Sequence, residues 1–384
     1  MHQRMARLLF DPERASILIL RMSSLGDVVH ALPTLAALRR RFPRARLGWV
    51  VRPAVKDLLV GNPCLDEVLV LGSPKQAALA GNGPQVIGLP DLLHPVGLAR
   101  ALRARSYELT LDLQGLLKSS FIAYLSGARW RIGYQSWQEG QFLFNNLRLV
   151  PDRKDIHAIW GYLGFAQVLG ADPLPIEFPV GWSSQDEGAV SQLLAEKGLL
   201  HVEQSVALAP GGTWQSKRWP PESYGEVALT LARRAGLRSV IVGSGVDAER
   251  AALIRRVAGE AAVDLTGRTT LKQLAALLKR SALMIGNDTG PMHLAAALGT
   301  RTVAILGPTA GERIGPYGEG NAIVASGLAC GPCRKRSCPP AGAPACMVKI
   351  TPQQVVEAAL HVFAGRSPQG GSSPVSASAG EGKG

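Results

Sequence analysis

Short apolar runs alternate with helix-length segments along nearly the whole 384-residue chain. A strand with no polar face must be covered on both sides, so this pattern points to parallel sheets with helices on both faces. In the first half, strands are expected over 16–21, 46–51, 67–71 and 107–112. Between them come a helix ending near Arg41 and helices over 53–60, 96–104 and 118–126, with residues 72–95 as a long Gly- and Pro-rich loop. A helix over 151–169 leads into the Pro-studded segment LGADPLPIEFPVGW, 169–182. Strands then resume at 205–209, 238–242, 262–265, 282–285 and 302–306, with helices at 222–235, 247–258, 271–279, 291–298 and 352–363. The chain is longer than one core usually supports, so two doubly wound α/β domains are expected. Their predicted bounds are 1–170 and 183–350, joined by a linker at 171–182. A C-terminal helix over 351–364 precedes a tail, 365–384, that has nothing to bury and reads as disordered.

Hydrophobic residues make up 46% of the chain, ample for two cores, yet no run approaches the ~20 apolar residues of a membrane-spanning helix. The start, MHQRMARLLF, is broken by Asp11, Pro12 and Glu13 and does not read as a signal peptide. Net charge is +13, which favours anionic partners without naming one. The basic residues are dispersed and no nucleic-acid-binding pattern is present, so nucleic acid is not an expected partner. Cys330, Cys333, Cys338 and Cys346 form C-x2-C-x4-C-x7-C, a spacing that suits zinc, reduced structural thiols or a disulfide. Prolines at 332, 339, 340 and 344 make that segment loop-like, and no metal site is expected there.

Three segments carry the chemistry. Gly26 and Asp27 lie in the turn that leaves the strand Ile17–Leu20, with Ser23 just before them. An acid at the carboxyl end of such a strand faces the crevice where α/β sheets bind ligands, though Asp before an apolar run is also a common helix cap. In the second half, Gly211 and Gly212 follow a strand, and Thr213 and Lys217 come next as a hydroxyl donor and a mobile cation for a phosphate. Residues Asp288, Thr289 and Gly290 open a short helix with Pro291 in its first turn and Gly299 past its end. The open N-terminus of that helix suits an anion, and His293 points to the same end. On the first half's other strand end, Gln114 and Lys118 follow Asp112, and Lys118 can meet an anionic acceptor or simply face solvent.

SSLGDVVHALPTL (23–35), DLQGLLKS (112–119), APGGTWQSKRWP (209–220) and the run Asp264–Pro308 together resemble the glycosyltransferase family 9 heptosyltransferases. The likeness covers roughly residues 16–362. It implies a GT-B fold, two Rossmann-like domains facing a central cleft, with the nucleotide sugar held mainly by the second and the acceptor by the first. It further implies an inverting transfer from ADP-heptose to a lipid-linked 3-deoxy-octulosonic acid of the lipopolysaccharide inner core, in the cytoplasm at the inner membrane surface. By the same likeness Asp27 is the general base, while Lys217 meets the donor diphosphate beside His293. Glu249 aligns with an acid near the ribose, although a surface helix carries such a residue anyway, and no cofactor or divalent ion is called for. SSLGD and DLQGLLKS look more like the enzymes adding the first heptose, the cysteine segment more like those adding the second. Where first-heptose enzymes carry a basic cluster after the third strand, this chain has only Lys75. A family 9 enzyme with another nucleotide sugar or acceptor, a GT-B epimerase or hydrolase of nucleotide sugars, and a non-catalytic nucleotide-binding module are the alternatives.

Overall fold

The computed structural model describes residues 15–72, 77–79, 84–135, 138–150, 155–199, 201–338 and 344–365. The expectations for the N-terminal segment, Lys75 and the tail beyond 365 lie outside the described residues. In chain order the first part comprises β1 (Ser16–Leu20), α1 (Leu25–Arg41), β2 (Arg46–Val51), β3 (Glu67–Leu71), β4 (Ala77–Leu79) and β5 (Gln85–Leu89). It continues with α2 (Pro95–Arg103), β6 (Leu109–Asp112), α3 (Leu117–Leu125), β7 (Trp130–Tyr134), β8 (Leu147–Val150) and α4 (Ala158–Gln167). The second part comprises α5 (Ser184–Ala195), β9 (Ser205–Ala209), α6 (Pro221–Ala235), β10 (Arg238–Ile241), α7 (Ala248–Ala258), β11 (Ala262–Asp264) and α8 (Leu271–Arg280). After these come β12 (Leu283–Asn287), α9 (Gly290–Ala297), β13 (Thr302–Leu306), α10 (Gly311–Ile314), β14 (Ala322–Ala325), α11 (Ala345–Val348) and α12 (Pro352–Phe363).

Two sheets result. The first has eight strands in the order β4-β5-β3-β2-β1-β6-β7-β8, with β4 antiparallel to β5 and the other pairs parallel. The second has six parallel strands in the order β11-β10-β9-β12-β13-β14. In each sheet the chain walks outward in one direction and then returns to build the other side. The direction reverses between β1 and β6 in the first sheet and between β9 and β12 in the second. Such switch points leave a crevice at the carboxyl ends of the strands, because the two flanking loops diverge. The segments singled out in the sequence follow these four strands.

The structure corrects the reading of residues 72–95 as a loop, since β5 runs through it. Its sequence QVIGL is short and interrupted by Gly88, which hid the strand signal. Strands β7, β8 and β14 and the helix α5 were likewise not anticipated. The helix expected over 151–169 is described over Ala158–Gln167, and 53–58 is a single 3₁₀ segment rather than an α-helix. Pro33 is accommodated inside α1, which runs unbroken for 17 residues with Arg39, Arg40 and Arg41 in the last turn, where cations favour a helix end.

Alternation along the central strands divides the interior into three apolar layers. Leu18 and Leu20 of β1 face a layer under α2 and α3, while Ile17 and Ile19 face the opposite side. In β9, Val206 and Leu208 point to the outer core with α6 and α12, and Ala207 and Ala209 point inward. The inward layer of both sheets is one continuous core. It joins Leu32 and Leu35 of α1 and Phe165 of α4 to Leu277 of α8 and Met292 of α9, all essentially inaccessible to solvent.

The two parts meet closely at helix ends. A Cβ at Gly26 in α1 would lie 2.4 Å from His293 Cδ2, and one at Gly290 in α9 would lie 2.6–2.7 Å from the Leu25 side chain. Both glycines are therefore required by contact across the seam. Gly26→Ala and Gly290→Ala are each expected to cost about 1–3 kcal/mol, because the added methyl overpacks a filled interface. Thermal unfolding checks this, and an unchanged midpoint in both variants would mean that the two helix ends separate freely.

Candidate active site

The helix ends enclose a cleft of 610 Å³ lined from both parts of the chain. Ser24, Gly26, Asp27 and His30 come from α1 and its entry, and Gly211, Thr213, Lys217, Asp247, Asp288 and Gly290 come from the second part.

Asp27 sits in the first turn of α1 because Ser24 caps that helix. Its Oδ2 accepts the Ser24 backbone N–H at 3.1 Å and the Ser24 hydroxyl at 2.9 Å. Its Oδ1 lies 2.6 Å from Arg21 Nη2 and accepts the Tyr162 hydroxyl at 3.3 Å. Arg21, at the end of β1, is itself buried, donates to the Leu113 carbonyl and stacks on the Tyr162 ring. Burial works against the Asp27 charge, but Arg21 and the two Ser24 donors outweigh it and hold the carboxyl below its ordinary pKa. The capping geometry thus leaves the carboxylate charged, oriented and at the mouth of the cleft.

On the facing side, Asp288 at the end of β12 is buried between Lys217 Nζ, 2.6 Å from its Oδ2, and His293 Nε2, 3.1 Å from its Oδ1. Burial again opposes the charge, and His293 and Lys217 outweigh it, so Asp288 also lies below the ordinary carboxylate value. Lys217 rests over the Trp214 ring with its nitrogen 4.4 Å from the centroid. Thr289 is the N-cap of α9 but makes no side-chain cap bond, so the first amides of that helix stay open to an anion. Gly299 closes the helix at φ +79°, a conformation suited to glycine.

The glycine turn is fixed by a residue that sequence reasoning did not single out. Buried Asn287 donates to the carbonyls of Pro210 and Gly211, both at 2.9 Å, and accepts the Tyr224 hydroxyl at 2.9 Å. Arg218 folds back onto the Gly212 carbonyl at 2.7 Å. Glu249 is exposed on α7 and is not among the described residues lining the cleft. The acid that lines it is Asp247, whose carboxylate lies so close over the two glycine turns that a Cβ at Gly211 or Gly243 would meet it within 2.9 Å. Its Oδ2 accepts the Ser244 N–H and hydroxyl, both at 3.0 Å. The pattern Ser-x-x-Asp after a strand, the same as Ser24 to Asp27, was the signal that could have found it.

The remaining candidates on the first part are less close to the cleft. Gln114 accepts the Met22 N–H at 3.0 Å and so ties the exits of β1 and β6 together. Asp112, pushed up by burial, accepts from the Gly115 amide and Asn145 beneath it. Ser23 is partly exposed beside Ser24, and Lys118 is exposed on the first turn of α3. No disulfide joins any of the five cysteines, and no group of three or more acidic, histidine or cysteine side chains among the described residues is arranged to hold a metal ion. The cysteine loop instead braces the segment that carries Lys217, its Lys335 carbonyl accepting the Ser216 hydroxyl at 2.6 Å.

Three histidines cross the seam beside this site. The His30 ring stands edge-on to His293 at 4.3 Å and to His157 at 5.2 Å, and His157 Nε2 contacts the Gly315 carbonyl at 3.1 Å. Burial lowers both His30 and His157, the latter to about 4.

Two predictions follow from these fields. Arg21→Gln removes the charge that depresses Asp27, so the acid limb of a kcat/KM against pH profile should move to higher pH; an unmoved limb would detach Arg21 from Asp27. Between pH 6.5 and about 4 the unfolded chain binds a proton at His157 that the folded chain does not, so stability falls as pH falls through that window. The slope contributed is up to about 1.4 kcal/mol per pH unit. Urea unfolding of His157→Gln beside the parent should show a shallower pH dependence, and parallel curves would refute it.

Comparison with known proteins agrees with this fold. Lipopolysaccharide heptosyltransferase 1 of Pseudomonas aeruginosa is 26% identical over 322 residues, covering 84% of this chain and 87% of its own. Lipopolysaccharide heptosyltransferase 2 of Escherichia coli is 25% identical over 352 residues, covering 89% and 96%. The solved structure of the E. coli ADP-heptose lipopolysaccharide heptosyltransferase II superposes with a TM-score of 0.71 at 21% identity, over 91% of this chain and 99% of that one. Residues 96–343 match glycosyltransferase family 9 (heptosyltransferase), and the chain, an α/β protein of GT-B fold, belongs to that family of glycosyltransferases.

Proposed function

We propose that this chain transfers heptose from ADP-heptose to a 3-deoxy-octulosonic acid residue of a lipid-linked lipopolysaccharide inner core, with inversion, at the cytoplasmic face of the inner membrane. The observation that carries the reading is the pairing, across one cleft, of an ionised Asp27 with Lys217, Asp288 and the open end of α9. The names of the family relatives support the choice of sugar and acceptor.

In this reading the donor diphosphate lies against the α9 amides, and Lys217 turns from Asp288 toward it. The acceptor hydroxyl meets Asp27 from the first part of the chain. As its oxygen attacks the anomeric carbon, its proton passes to the Asp27 carboxylate, the bond to the diphosphate breaks, and ADP leaves with the electron pair. One displacement inverts the anomeric centre. A carboxylate held well ionised is always ready but weakly basic, so much of the rate must come from holding both substrates in line. Asp247, over the glycine turns, is placed to accept hydroxyls of the nucleotide.

Asp27→Asn should lower turnover by about 10²–10⁴ while ADP affinity changes by no more than a few-fold, since a base does not touch the nucleotide. Lys217→Ala should weaken ADP binding and slow transfer together. The deciding assay follows ADP release from ADP-heptose with and without lipid carrying 3-deoxy-octulosonic acid. Release only with the acceptor is expected; release without it would mark a hydrolase, and none in either arm would withdraw the heptose assignment.

A further inference from the structure

We propose that the face built by α3 and the turn at 138–144 docks on a bilayer rich in anionic phospholipid. The proposal rests on the reading above, in which the acceptor is lipid-linked, and names the surface that would bring the cleft to it.

Leu143 is 66% exposed, Tyr124 48% and Leu117 40%. These side chains are neighbours rather than scattered. The Phe144 ring lies 5.2 Å from Phe121 and 5.6 Å from Tyr124, and both Leu117 and Leu143 flank Gly140 within 3.8 Å of its Cβ position. α2 packs beside α3. A contiguous apolar patch of this kind on a surface marks a docking site more often than scattered exposed residues do.

Its cations argue for the occupant. Arg129 lies over the Trp130 ring at 5.0 Å, and Arg148 over Phe142 at 5.8 Å. Arginine beside an aromatic ring at the rim of an apolar patch matches a bilayer interface, where rings settle at headgroup depth and guanidinium groups reach phosphates. Residues 117–150, which build this face, contain four Lys and Arg against one acid, the exposed Glu139. The patch is thus complementary to a negative surface. It also adjoins the switch point of the first sheet, because α3 begins just beyond Gln114 at the exit of β6. A bilayer seated there lies beside the acceptor half of the cleft.

The test is flotation of the full chain with vesicles of phosphatidylglycerol and phosphatidylethanolamine, and with vesicles of phosphatidylcholine alone. Binding is expected to the anionic vesicles only, and to fall as salt is raised. Leu143→Glu combined with Tyr124→Glu should weaken it at least about tenfold, and Arg129→Ala about fivefold, the equivalent of ~1 kcal/mol for one charge near such a surface. ADP release with a water-soluble acceptor fragment should not change, since these residues lie outside the cleft. Vesicle binding needs no acceptor, so failure of the transfer reading and failure of docking are separate results. The proposal falls if the parent ignores anionic vesicles or if the folded variants bind as the parent does. It also falls if light scattering shows a dimer that Leu143→Glu splits, which would assign the face to a second copy. Should the double variant not fold, Arg129→Ala, vesicle composition and salt dependence still decide.

Discussion

Two helices meet N-terminus to N-terminus at the seam, and the site depends on that meeting being tolerable. Each helix end carries a partial positive charge, so α1 and α9 approaching through Gly26 and Gly290 would repel if nothing lay between them. Asp27 in the first turn of α1 and Asp288 just before α9 supply the missing negative charge. Lys217 and Arg21 then balance the two acids from behind. The arrangement is an alternation of charge in a partly buried space, and in the proposed reading an incoming diphosphate adds two or more negative charges to it. That addition is favourable only where donors are free to turn toward it, and Lys217 and the uncapped α9 amides are the ones so placed.

The two halves of the molecule use one local device for different ends. Ser24 with Asp27 and Ser244 with Asp247 have the same spacing and the same two hydrogen bonds to one carboxylate oxygen. What separates them is the surroundings of the other oxygen. For Asp27 it is a buried arginine and a tyrosine hydroxyl, which keep the group charged and aimed. For Asp247 it is the bare backbone of the Gly211 turn, which in the proposed reading leaves the carboxylate beside the nucleotide.

This contrast also explains what the sequence revealed and what it concealed. β1, β9 and β12 were legible because strands buried on both faces are uninterrupted apolar runs, and the ends of α9 were legible because Pro291 and Gly299 mark them. β5 was not, since Gly88 breaks its pattern. Asp27, Lys217, Asp288 and His293 could be named because each stands next to a strand exit in the chain itself. Their supporting residues could not: Tyr162 is 135 positions from Asp27, and Asn287 reaches back to the turn at 210. Glu249 was named from the resemblance alone, and the 3₁₀ turn at Gly245–Asp247, which composition does not disclose, is what brings Asp247 to the cleft.

The continuous layer shared by both sheets bears on how substrates enter and products depart. Leu32, Leu277 and Met292 belong to one packed interior, so the two halves cannot simply swing apart without exposing apolar surface to water. A widening of the mouth that keeps this layer buried is a small sliding of α1 against α9, as packed helices move in shear. In such a machine the residues that set the pace of product departure are aliphatic side chains far from any phosphate, and turnover becomes a property of the interior as much as of the chemistry it encloses.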